Sequence, residues 1–152
     1  MKERPVRKRQ VAVSLVELGE ALTWRIEEGG HYLDLETGEV VAWTASEWDE
    51  LSTEDIDAGV EEGRLFWIDP VESSVEFGWM EDFLDAVRKG ALRERLAAAL
   101  RSRHPFRRFK EVLVEFPAER ERWFGFHRER AVEAAKQWME ENGLEAASTE
   151  RP

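Results

Sequence analysis

Leu15, Leu18 and Leu22 recur at helical spacing directly after Ser14. Ser14-Leu15-Val16-Glu17 has the form of a capping box, so the pattern predicts a short helix over about residues 14–25. Gly29-Gly30 is expected to end that unit. From His31 to Thr44 the period shortens to two. Leu33 and Leu35 alternate with Asp34 and Glu36, Thr37-Gly38 supplies a turn, and Val40, Val41 and Trp43 follow, which predicts a β-hairpin. A two-residue loop there would pair Leu35 with Val40 and Leu33 with Ala42. Residues 46–62 are acid-rich and suit short helical turns. Leu65-Phe66-Trp67-Ile68, closed by Asp69-Pro70, has the length and flanks of a buried strand, the third of a small sheet.

The helical period returns near residue 75. Phe77, Met80, Phe83, Leu84 and Val87 repeat every three or four residues, and Leu92, Leu96, Ala99 and Leu100 continue past Gly90. Phe106, Phe109, Val112, Leu113 and Phe116 follow Pro105. Pro117 suits the first turn of a last helix with Phe124, Ala131, Ala135 and Trp138 on one stripe, which Asn142-Gly143 would stop. The expected fold class is α+β, a small antiparallel sheet (hairpin plus one strand) with short helices, followed by a helical C-terminal half. The expected organisation is a disordered basic arm over 1–9, a single domain over 10–144 and a flexible tail over 145–152. Within that domain, 10–72 would form an acidic α+β lobe and 75–144 a helical lobe.

Composition narrows the chemistry. A chain of 152 residues is long enough to bury a core without a metal or disulfide. It has no cysteine, which removes disulfides, thiolate metal sites and cysteine nucleophiles. No apolar run approaches the roughly 18 residues of a membrane span. The basic N-terminus is followed by Glu17 and Glu20 rather than by a signal-peptide apolar core. The expectation is a soluble cytoplasmic protein with no membrane partner.

The net charge of −11 averages three unlike regions. Residues 1–9 hold five bases and one acid, residues 10–87 hold 21 acids and two bases, and residues 88–152 hold 15 bases and 11 acids. Within the last region, residues 88–110 contain nine bases and one acid, Glu94. Three readings of that basic stretch stand side by side. It binds a polyanion; it lies against the acidic half of its own chain or of a second copy; or its side chains are solvated helix faces. The overall pI near 4.9 argues against general nucleic-acid binding.

Familiar catalytic motifs are absent: no Gly-rich phosphate loop, no dinucleotide fingerprint, no His-Glu-x-x-His pair, no Ser elbow. His31, His104 and His127 stand at no ligand spacing and read as surface or half-buried histidines. Glu81, Asp82 and Asp85 share a predicted helix face that a hard cation such as Mg²⁺ could occupy, although a solvated face is the simpler reading. Asp34 to Glu39 superficially resembles a calcium loop but lacks its ligand spacing and closing Glu. No cofactor is implied. The aromatics say more. Seven Trp are many for one core of this size, and Trp is enriched where proteins meet partners. Trp48 and Trp123 are the two expected to be partly exposed. With Arg103, Arg107, Arg108 and Lys110 they form the candidate partner-binding set.

Leu33-Asp34-Leu35-Glu36-Thr37-Gly38-Glu39-Val40-Val41, Met80-Glu81-Asp82-Phe83 and Phe106-Arg107-Arg108-Phe109-Lys110-Glu111-Val112-Leu113 come in that order. Trp123-Phe124-Gly125-Phe126 and Trp138-Met139-Glu140-Glu141-Asn142-Gly143 follow. Together these blocks resemble uncharacterised protein family 0158, a bacterial family, over about residues 13–144. The family usually carries a Gly- or Lys-containing run before the Phe-Arg-Arg-Phe-Lys block, where this chain reads Arg103-His104-Pro105. The resemblance brings no catalytic residue, substrate or cofactor with it. The expected function is therefore a non-enzymatic protein-interaction module, binding a protein partner or itself. The alternative is a nucleic-acid-binding accessory protein using residues 88–110, and a metal-dependent hydrolase stands third.

Overall fold

The computed structural model describes residues 8–25, 29–44 and 53–147. The chain divides into two compact units, Met1–Pro70 with Ala131–Pro152, and Val71–Arg130. The first unit therefore takes the C-terminal end of the helical half as well as the acidic N-terminal half.

In the first unit, α1 spans Leu15–Leu22 and is capped by Ser14, whose Oγ accepts the Glu17 N–H at 3.2 Å. The helix stops short of residue 25 because Thr23 turns its hydroxyl back to the Gly19 and Glu20 carbonyls at 3.1 and 3.2 Å. Three strands, β2 (Gly29–Asp34), β3 (Val40–Thr44) and β4 (Leu65–Ile68), form an antiparallel sheet in the order β3-β2-β4. Hairpin and third strand both match the α+β expectation. The glycine pair, expected to end the first unit, instead opens the central strand. The indole of Trp67 fills the space above Gly30, and a Cβ there would strike its ring.

The hairpin register is shifted by two residues from the expected one. Leu33 pairs with Val40 and His31 with Ala42. Asp34 is the cause. Its Oδ1 accepts the Glu36 and Thr37 N–H groups at 2.9 and 3.2 Å, and its Oδ2 accepts Arg64 Nη1 at 2.7 Å. An aspartate that bonds the backbone two and three residues on opens the loop to four residues, closed by the Asp34 N–H on Glu39 O at 2.9 Å. Gly38 lies in the left-handed region (φ 79°), and its missing side chain admits the Ala12 carbonyl. A shift of two keeps every side chain on its face, so the hydrophobic pattern alone cannot detect it.

A second sheet was not expected. Arg9–Val11 (β1) runs parallel to Leu144–Ala146 (β5), so Arg9, placed in the arm, and Glu145 and Ala146, placed in the tail, belong to a strand pair. Val11 and Leu144 anchor it at 1% and 3% exposure. Strands of three residues are too short to show alternation. Residues 1–7 and 148–152 lie outside the described residues. The acid-rich segment forms α2 (Thr53–Glu61), and residues 45–52 are likewise outside.

The second unit holds α3 (Ser73–Ala86), α4 (Ala91–Leu100), α5 (Pro105–Val114) and the first half of α6 (Pro117–Glu141). Its core is aromatic. Phe83 meets Phe109, Trp123 and Phe126 edge-on at 6.3, 5.4 and 5.5 Å, and Phe109 meets Trp123 at 5.0 Å. Such edge-to-face pairs add about 0.5–1.5 kcal/mol each beyond the area they bury. α6 ends where Asn142-Gly143 predicts, with Gly143 at φ 70°. Among the described residues, no helix is long and apolar enough to cross a membrane.

Candidate functional site

The basic stretch folds as a helical hairpin, α4 and α5 joined by Arg101–His104. The period that buries Phe109 and Leu113 on α5 sends Arg107, Arg108 and Lys110 into solvent. Pro105 opens α5 and Phe106 anchors its first turn, 6.4 Å from Phe77. Arg101 and Arg103 are exposed in the connection. Four of the six predicted site residues, Arg103, Arg107, Arg108 and Lys110, are thus brought onto one hairpin. Trp123 is not among them. It is 3% exposed, held in the aromatic core between Phe83, Phe109 and Phe126, so the expectation of an exposed Trp123 is corrected. Trp48 lies outside the described residues.

The cations of this unit divide into those that hold a carboxylate and those that do not, and Arg88, Lys89, Arg120 and Arg128 are of the second kind among the described residues. Arg95, Arg122 and Arg130 hold Glu115, Glu119 and Asp82 at 2.5, 3.1 and 2.7 Å, and Arg93 approaches Asp85 to 4.0 Å. The Arg95 hydrogen bond keeps the Glu115 carboxyl below the usual carboxylate range, and Glu115 in turn raises the Arg95 guanidinium. Arg101, Arg103, Arg107, Arg108 and Lys110 have no such partner among the described residues. Arg107 and Arg108 also stand in the first turn of α5, where the helix dipole disfavours positive charge. Between the two helices runs a groove of 260 Å³, lined by Arg95, Ala98, Ala99, Ser102, Arg108 and Val112.

Two of the three carboxylates weighed for metal binding are engaged elsewhere. Asp82 is paired with Arg130, and Asp85 faces Arg93. No group of three or more His, Asp or Glu side chains gathers at metal-binding distance among the described residues. Glu76 and His127 pair at 3.4 Å beside Trp79 and Trp123. Packed between two indoles, that pair holds a buried carboxylate within the unit.

The exposed aromatics lie elsewhere than expected. Trp24 is 62% and Trp67 46% exposed, both in the first unit. Trp24 walls a cleft of 280 Å³ between α1 and the β2–β3 hairpin, with Glu17 and Glu20 at its rim and His31 at its base. His31 is buried, contrary to the expected surface or half-buried position, and burial lowers its pKa below 6.5. Trp24 follows the last leucine of α1 by two residues, and Trp67 sits inside a four-residue apolar run. Only alternation within that run hinted that one of its side chains faces out.

The chain matches the profile of the uncharacterised protein family UPF0158 over residues 8–151. It is 37% identical over 124 residues to a UPF0158 protein of Pseudomonas aeruginosa, covering 80% of this chain and 78% of that one. No solved structure matches it.

Proposed function

The chain belongs to the UPF0158 family, and we propose that it is a non-enzymatic protein-interaction module whose contact face is the basic α4–α5 hairpin. The observation that carries this reading is the division among the cations. Arg93, Arg95, Arg122 and Arg130 hold carboxylates, whereas Arg101, Arg103, Arg107, Arg108 and Lys110 gather on one hairpin with no ion pair among the described residues. Two of them oppose the α5 dipole, so folding gains nothing from their charge. A carboxylate-bearing partner would meet both the arginine forks and the N-terminal N–H groups of α5. A second copy qualifies as such a partner, since the unit that includes the N-terminal half carries 22 acids against nine bases.

Nucleic acid is the second reading, favoured by the same unpaired cations. It is the weaker one. The net charge of −11 disfavours a long polyanion, which meets the field of the whole chain.

Affinity capture from nuclease-treated host-cell extract tests the reading, with wild type and an Arg107→Glu/Arg108→Glu variant as baits. A stoichiometric protein retained by wild type and lost by the variant is the expected result. Identical sets on both baits would refute it. Sedimentation of the purified protein, with and without the variant, separates a second copy from a foreign partner.

A further inference from the structure

The cleft between α1 and the hairpin has the opposite character to the basic face. Glu20, Ala21 and Trp24 follow Glu17 at three, four and seven residues, which puts them on one side of α1 and the residues just after it. Across from them, the His31–Ala42 pair and Val40 present one face of the hairpin. Ala21 and Ala42 are small, and the space they leave is the cleft. Its walls combine an indole open to solvent, two carboxylates with no ion pair among the described residues, and one imidazole.

That imidazole points to a ligand. His31 is 6% exposed, contacts Trp24 at 5.6 Å between ring centroids, and its imidazole makes no hydrogen bond among the described residues. Burial lowers its pKa, so at neutral pH it adds a polar nitrogen and no positive charge. No fully buried side-chain nitrogen or oxygen lacks a partner among the described residues, so the unbonded imidazole nitrogens of His31, which lines the cleft, stay accessible.

We propose that this cleft receives an arginine side chain presented by a basic segment of another protein. The guanidinium plane stacks on Trp24 while its fork reaches Glu17 and Glu20, and the neutral His31 accepts a hydrogen bond at the base. Arginine suits it better than lysine because the plane and the fork are used together. The volume of 280 Å³ falls just under the range of small-molecule sites, as a single side chain requires. Charge complementarity acts at longer range, since the surrounding unit is strongly acidic. The cleft residues belong to the first unit and the basic hairpin to the second, so either reading can fail alone.

The test is titration of the full chain with acetyl-Arg-Arg-amide, followed through the Trp24 indole N–H resonance, assigned by its loss in Trp24→Phe. The citrulline analogue serves as the neutral isostere. The expected result is a saturable shift of the Trp24 and His31 resonances with the arginine peptide and none with citrulline. Glu20→Gln should weaken binding about fivefold, and Trp24→Ala by at least about as much. Trp24 is largely exposed, so its removal leaves the core intact, and unchanged amide shifts in β4 verify this. Equal binding of the citrulline peptide would overturn the proposal. So would arginine binding undiminished in Trp24→Ala, which would mean diffuse attraction to acidic surface.

Discussion

The two units use their aromatic and charged residues in opposite ways. In residues 71–130 the large rings meet one another, with Phe83, Phe109 and Trp123 all under 4% exposed, and the charges left over on α4–α5 are positive. In the other unit Trp24 and Trp67 stand in solvent beside a sheet, and the charges left over are negative. One unit packs most of its large rings into a cluster, with Phe124 left 40% exposed, and offers cations. The other exposes indoles among carboxylates. The same residue types thus serve as core in one place and as surface in the other, and local geometry decides which.

Breaking the aromatic core gives the largest effect. Phe109→Ala removes a fully buried ring from three elements and should cost about 3–5 kcal/mol in urea unfolding. A cost below about 1 kcal/mol would mean that the cluster is not the core of its unit. Asp34→Ala comes next. It strips two backbone N–H bonds and leaves Arg64 with only Glu62, at 3.8 Å, among the described residues, for a loss of about 2–3 kcal/mol. Asp34→Asn, which keeps the turn bonds and drops the charge, should recover part of that.

His31 supplies a pH signature of the first unit. Its folded-state pKa is lowered, so between that value and 6.5 the unfolded chain binds more protons. Stability should therefore fall as pH drops below 6.5, and His31→Gln should flatten that slope. The groups facing His31 across the cleft are Trp24, Glu17 and Glu20. Because the carboxylates favour its protonated form, Glu17→Gln/Glu20→Gln should steepen it. The smallest stability effect belongs to the basic face. Arg107→Glu/Arg108→Glu places acid where the α5 dipole favours it, so the unfolding free energy should hold or rise by up to about 1 kcal/mol. Loss of binding with stability retained would identify these arginines as a surface for contact.

Sequence pattern carried the helices and the three-stranded sheet because their periods run over enough residues to show. Leu15 to Leu22, Phe77 to Val87 and the run Leu65–Ile68 all become the elements their spacing predicts. The hairpin register did not follow, since a two-residue slip preserves the faces and only the Asp34 side chain decides it. The β1–β5 pair was illegible because it joins two three-residue segments more than 130 residues apart. At the candidate site the arginines were legible as a charge run, and α5 exposes them as its period requires. Trp123 was misjudged because frequency says that some Trp must be exposed and not which. The choice fell on Trp24 and Trp67, beside an alanine-lined cleft and a strand glycine.

The central claim, that the α4–α5 hairpin docks protein rather than nucleic acid, is tested most directly by a salt-titrated binding isotherm. Fluorescent RNA and DNA are titrated with wild type beside Arg107→Glu/Arg108→Glu. The account predicts no binding tighter than about 10⁻⁴ M at physiological salt, and no difference between the two proteins. Micromolar binding that weakens steeply with salt and vanishes in the variant would contradict it.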